Sequence, residues 1–121
     1  MTETQGSGRF DLEERTFAFA VQVRTFIRSL PRTLCNIEDV KQLVRASGSV
    51  GANDIEANDA WSKKDFLMRT RIARREAKES RFFLRLVYTA DDDSLNKTRE
   101  SLVQESMELI RILSAINRKS E

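Results

Sequence analysis

The chain has 121 residues, with 21 Lys or Arg against 19 Asp or Glu, no histidine and one cysteine. That length suits a single domain able to bury roughly two thirds of the surface of its unfolded chain, while the lone Cys35 excludes an intramolecular disulfide. Without histidine neither a Ser-His-Asp triad nor a His-bearing di-iron site can be built.

The polar start M-T-E-T-Q-G-S-G lacks the apolar run of a signal peptide, and no stretch reaches the length of a membrane span. A cytoplasmic location, no membrane partner and no cofactor or metal are therefore expected. One proline and four glycines leave few breaks, which predicts an all-α chain of four helices. Residues 1–9 read as a flexible tail ahead of a domain over 10–119.

The first helix runs from about Phe10 to Leu30, where Pro31 stops it. Leu12, Phe19, Val23, Phe26 and Leu30 fall on one side of its wheel, and Phe10, Phe17 and Val21 on nearly the opposite side. The second begins after Asn36, read as an N-cap followed by Glu38 and Asp39 in the positive first turn, and continues to about Ala60. Gly48 and Gly51 lie inside its helical period, among Ala46, Ser47, Ser49 and Ala52. Each glycine costs a helix roughly 1 kcal/mol against alanine, so the close approach of another backbone must offset it.

The third helix starts at Ser62, where S-K-K-D has the form of a capping box with Asp65, and runs to about Thr89. Phe66, Ala73, Ala77, Leu84 and Val87 form one stripe on it, and Met68, Ile72, Phe83 and Leu86 a neighbouring one. Trp61 is expected to anchor the preceding corner, and Cys35 to be a partly buried loop thiol. After the break at Asp91-Asp92-Asp93-Ser94, the fourth helix covers about Leu95 to Arg118. There Leu95, Leu102, Leu109 and Ile116 recur every seven residues, with Leu113 beside them, as a bundle seam does.

Short connections favour antiparallel neighbours, hence an up-down-up-down four-helix bundle. The apolar inventory exceeds one seam, and a monomer would leave a stripe wet, so copies of the chain are expected to associate. Phe10, Phe17, Val21, Gly48, Gly51, Met68, Ile72 and Phe83 are the candidate subunit interface.

Between Ser62 and Ala90 stand nine basic residues (Lys63, Lys64, Arg69, Arg71, Arg74, Arg75, Lys78, Arg81, Arg85) against the acids Asp65, Glu76 and Glu79, a local balance of +6 that leaves −4 for the rest of the chain. All but Arg69 share about a third of the helical wheel, and such an arc could follow a phosphate backbone. The competing reading is a solvated face whose cations pair with Asp54, Glu56 and Asp59 of the second helix or Glu100, Glu105 and Glu108 of the fourth. Only Phe82 interleaves with the arc, which gives base stacking little support and makes backbone contact without sequence readout the expected mode.

Asp54, Glu56 and Asp59, with Asn53 and Asn58, invite a metal or hydrolase reading. Asp54 and Asn58 share a face at i, i+4, but Glu56 points elsewhere and one helix offers no second set of ligands. No catalytic or metal residue is assigned.

The chain resembles the bacterial four-helix-bundle family of 23S rRNA intervening-sequence proteins, the S23-like family, which also includes the accessory protein of diversity-generating retroelements. The resemblance runs from about Phe10 to Lys119. Ser49-Val50-Gly51-Ala52-Asn53, Glu56-Ala57-Asn58, Ser62 to Phe66, the I-A-x-x-E-A-x-E-S pattern at Ile72 to Ser80 and the E-S-x-E-L-x-x-I pattern at Glu105 to Ile112 carry it. It implies an antiparallel four-helix protomer in a ring-like homopentamer without enzymatic activity. In the retroelement branch it implies association with a reverse transcriptase and with nucleic acid. Many members have A-E-G-x-x-R-R-S before the third helix; here Glu56 to Ser62 lacks that glycine and those arginines, and the basic residues lie inside the helix.

The expected function is that of a non-enzymatic homo-oligomeric scaffold whose basic face, Lys63, Lys64, Arg71, Arg74, Arg75, Lys78, Arg81 and Arg85, binds RNA or DNA through phosphates. The alternative is a protein-interaction module that recruits a partner such as a reverse transcriptase without binding nucleic acid.

Overall fold

Helices α1 (Gly8–Arg28), α2 (Leu34–Asn58), α3 (Lys63–Leu86) and α4 (Asp93–Ser120) make up the computed structural model, which describes the backbone of residues 8–121 and the side chains of 11–121. Of the tail expected over 1–9, residues 1–7 lie outside the described residues, whereas positions 8 and 9 already belong to α1; the Phe10 side chain also lies outside them. Each helix packs on its neighbours in sequence, most extensively α2 on α3, and α1 closes the bundle against α4, leaving α1 and α3 diagonal. Contacts between the start of α2 and the end of α3, and between Asn53 late in α2 and Arg69 early in α3, fix the antiparallel sense. The expected four-helix bundle is the observed fold.

Side-chain caps set the helix starts. Thr33 accepts from the Asn36 amide at 3.1 Å, Ser62 from Asp65 at 3.1 Å and Asp92 from Leu95 at 2.9 Å. Each oxygen satisfies one of the first-turn N–H groups that no helix can pair internally. The cap of α2 is therefore Thr33 and not Asn36. Asn36 is buried one turn in, where its amide reaches Pro31 and Tyr88. Helix α1 ends short of Pro31 in two 3₁₀-type bonds, Ser29 to Phe26 and Leu30 to Ile27, each 3.1 Å. After α3 the chain turns through Ala90 and Asp91 at φ 57° and 56°.

Leu12, Phe19, Val23, Phe26 and Leu30 of α1 enter the core as the wheel predicts, against Leu43 and Val50 of α2, Ala73, Ala77 and Leu84 of α3 and Leu102, Leu109 and Leu113 of α4. The hydroxyls buried beside them are satisfied within their own helices. Ser47 bonds to Val44, Thr70 to Leu67, Ser80 to Glu76 and Ser106 to Val103. Small side chains thus let helices approach without orphaning a donor. Asn117, also buried, donates to Thr70 Oγ1 at 2.7 Å and ties α4 to α3.

Two further expectations for single residues fail. Trp61 is 98% exposed and anchors nothing, because the loop at residues 59–62 carries it away from both helices. Cys35 lies in the first turn of α2 and is exposed, since the helix starts three residues earlier than expected.

Candidate functional site

Helix α3 carries its charges on separate sides. Its register aligns Lys64, Arg71, Arg75 and Lys78 with Phe82 along the outward line, places Arg74, Arg81 and Arg85 on one border of that line and puts the acids Glu76 and Glu79 beyond the other. Lys64, Arg71, Arg75, Lys78 and Arg85 are exposed, while Arg74 and Arg81 are half-buried.

One residue of α2 explains the segregation. Arg45 Nη1 donates to Glu76 Oε1 at 3.2 Å and Nη2 to Glu79 Oε1 at 2.7 Å. The charge of Glu76, with the Glu76 and Glu79 hydrogen bonds, holds the Arg45 guanidinium above its usual pKa. Glu76 is buried and reaches back to the arc only at Arg75, 3.6 Å away. Arg69, the basic residue off the arc, is used inside the fold, donating to Asn53 Oδ1 at 3.3 Å.

Of the acids expected to neutralise the arc, Glu100 lines a groove with Arg85 without an ion pair to it, and the others are placed elsewhere. Glu105 takes a two-pronged bond from Arg15 of α1 at 2.6 and 2.8 Å, which raises the Arg15 pKa, and Glu108 pairs with Arg111 of its own helix. Asp54 is buried, whereas Glu56 and Asp59 are exposed, so these three carboxylates do not converge on a common site. Asn58 donates its amide to Glu13 of α1. Glu121 accepts from Arg71 at 3.5 Å and, through its carbonyl, from Lys63 at 3.4 Å. Among the described residues no ion pair reaches Lys64, Arg74, Lys78, Arg81 or Arg85.

The arc borders several surface grooves. A hollow of about 420 Å³ runs between Met68, Ile72, Arg71, Arg74, Arg75 and Lys78. A second, about 700 Å³, joins Arg85 to Lys97, Arg99, Glu100 and Gln104 of α4. Arg99 is fixed there by its bond to the Val87 carbonyl at 2.6 Å. Lys97 and Arg99 extend the cationic field and were missed in the sequence. Their signal was the antiparallel turn itself, which sets the first turns of α4 beside the last turns of α3.

The candidate interface residues divide. Phe17 (66% exposed), Val21 (45%) and Met68 (46%) stand open, as the surplus stripes require. Ile72 is half-buried, and Phe83 packs against the core. Gly48 and Gly51 face α1 of the same chain, where a Cβ at position 51 would come 2.9 Å from Thr16 Oγ1 and one at 48 would meet Arg24 Nη2 at 3.3 Å. The close approach predicted for the glycines is met within the protomer at Gly51, whereas Gly48 faces only the end of the Arg24 side chain.

No helix among the described residues is long and apolar enough to cross a membrane. The family profile described as 23S rRNA-intervening sequence protein matches residues 9–115. Among solved structures, the chain is similar to a protein of unknown function from the S23 ribosomal protein family of Bacteroides thetaiotaomicron VPI-5482. The two share 28% identity over 88% of this chain and 97% of that one, with a TM-score of 0.76. No curated protein matches the sequence.

Proposed function

The chain belongs to the family of 23S rRNA-intervening sequence proteins, and on that premise we propose that it is a non-enzymatic, homo-oligomeric helical scaffold that presents the cationic side of α3 to the phosphates of RNA or DNA. The observation that carries this reading is the diversion of nearby acids. Arg45 draws Glu76 and Glu79 toward α2, Arg15 occupies Glu105, and five cations of α3 keep no acidic partner among the described residues. A solvated surface gains little from holding like charges side by side, whereas a polyanion gains by releasing its counterions to them.

The diagonal relation of α1 and α3 supports the reading of assembly. Phe17 and Val21 open on one flank of the bundle, and Met68, beside the half-buried Ile72, on another. A contact that joins the first pair of one copy to the second pair of the next is heterologous, and such contacts form a ring when the rotation between copies closes and a filament when it does not. A ring-like homopentamer is the assembly we propose.

Fluorescence anisotropy with labelled RNA and DNA tests the charge reading. Binding should weaken with salt along a slope of about −4 in log K against log concentration for five phosphate contacts. Replacing Arg74, Lys78 and Arg81 together by Glu should abolish it while light scattering shows an unchanged assembly. Absence of binding at low salt would instead favour the second reading, recruitment of a protein partner such as a reverse transcriptase through exposed apolar residues such as Phe17.

A further inference from the structure

The basic side of α3 carries more than charge. Four aromatic side chains are exposed among the described residues, Phe17, Trp61, Phe82 and Tyr88, and all but Phe17 belong to α3 or to the residues at its two ends. Phe82 shares the outward line of Lys64, Arg71, Arg75 and Lys78. It is held by an edge-on contact with Phe83, centroids 5.1 Å apart and planes at 87°, yet 56% of it stays open. Trp61 is 98% exposed and directly precedes the Ser62 cap, beside Lys63 and Lys64.

Two ligand geometries would satisfy the cations alone. A duplex keeps its base faces stacked inside and offers this surface only phosphates and groove edges, so open rings would contribute nothing to holding it. An unpaired strand offers phosphates and base faces together. Aromatic platforms set along a cationic track are the arrangement that binds such strands without sequence preference. From Lys64 to Arg85 the axis of α3 rises about 30 Å, enough to lie along several nucleotides.

We propose that the ligand of this surface is an unpaired polynucleotide strand, its phosphates on the α3 cations and its bases stacked on Phe82 and on Trp61. The proposal rests on the reading of α3 as a nucleic-acid surface and narrows it. RNA and DNA strands share the chemistry involved, and both are included in the test.

The experiment uses the whole chain with unstructured RNA and DNA strands of about 15 nucleotides and with duplexes of the same length. Binding is followed by anisotropy and by the emission of Trp61, the one tryptophan in the sequence. The strands should bind more tightly than the duplexes and quench Trp61. Phe82→Leu should weaken strand binding about tenfold and leave duplex binding unchanged, with an unaltered circular dichroism melt showing an intact fold. Trp61→Leu should weaken strand binding likewise. Duplex binding equal to strand binding, with Phe82→Leu neutral and Trp61 unquenched, would overturn the stacking proposal and leave the charge reading standing. Failure of every probe to bind at low salt would overturn both.

Discussion

Asn36 and Tyr88 are joined in both directions: Asn36 Nδ2 donates to the Tyr88 carbonyl at 2.9 Å, and Tyr88 N–H donates to Asn36 Oδ1 at 2.9 Å. The same Nδ2 also reaches the Pro31 carbonyl at 2.9 Å, so one buried amide pins the α1–α2 turn and the end of α3 to the start of α2. Asp at this position would lose both donations and set a carboxylate against two carbonyls. Asn36→Asp should cost about 3 kcal/mol in urea unfolding, and a loss below about 1 kcal/mol would show that the clamp does not hold this end of the bundle.

Gly48 and Gly51 should respond in opposite directions to alanine. At 48 the new methyl meets the far end of the Arg24 side chain, which can move, so Gly48→Ala should be neutral or gain up to about 1 kcal/mol of helix propensity. At 51 it meets the Cβ and Oγ1 of Thr16, a β-branched residue buried in α1 with little rotamer freedom. Gly51→Ala should lose about 1–2 kcal/mol, and Thr16→Ala alongside it should restore part of that by removing the Oγ1 that the new methyl meets. Chemical denaturation of the three variants checks the order.

Arg45→Met would leave the buried Glu76 with only Arg75, 3.6 Å away, as a cationic neighbour. The expected loss is about 2 kcal/mol, the scale of a hydrogen bond to a charged group, reduced because Arg45 itself is half in solvent. The released Glu76 and Glu79 should also compete for the α3 cations. A lowered affinity for a polyanion in Arg45→Met, at a temperature where the variant is fully folded, would link the clamp to the surface it keeps free.

Ala90 and Asp91 both adopt the left-handed conformation between α3 and α4. A Cβ is unfavourable there by roughly 1–2 kcal/mol, and glycine gives part of the relief back through greater freedom in the unfolded chain. Ala90→Gly should raise stability by about 0.5–1 kcal/mol, and thermal melts that fall instead would contradict this turn geometry.

Periodicity made the helices legible. The α1 stripe and the leucines of α4 repeat at spacings that admit one buried side, and their neighbours in space did not have to be known. Choices between equals were not legible in this way. Thr33 and Asn36 can both cap a helix, and what settles their roles is Tyr88, 52 residues further on, which needs the Asn36 amide. The glycines announced a close approach without naming the partner, because local sequence carries no record of which helix lies opposite. The cationic arc could be read from register alone. That its acids are drawn off depends on Arg45 arriving from α2, and that Lys97 and Arg99 extend it depends on how α4 folds back. Trp61 misled because burying an indole is favourable in general, and the short α2–α3 loop offers it no wall.

That same indole decides what light can report about this molecule. An emission maximum already at the wavelength of a water-bathed chromophore has nowhere further to shift, so chemical melting of the bundle should pass almost unseen in intrinsic fluorescence while far-ultraviolet ellipticity collapses. A two-state midpoint must therefore come from the helices' own signal, and any change in tryptophan colour registers an event at the surface.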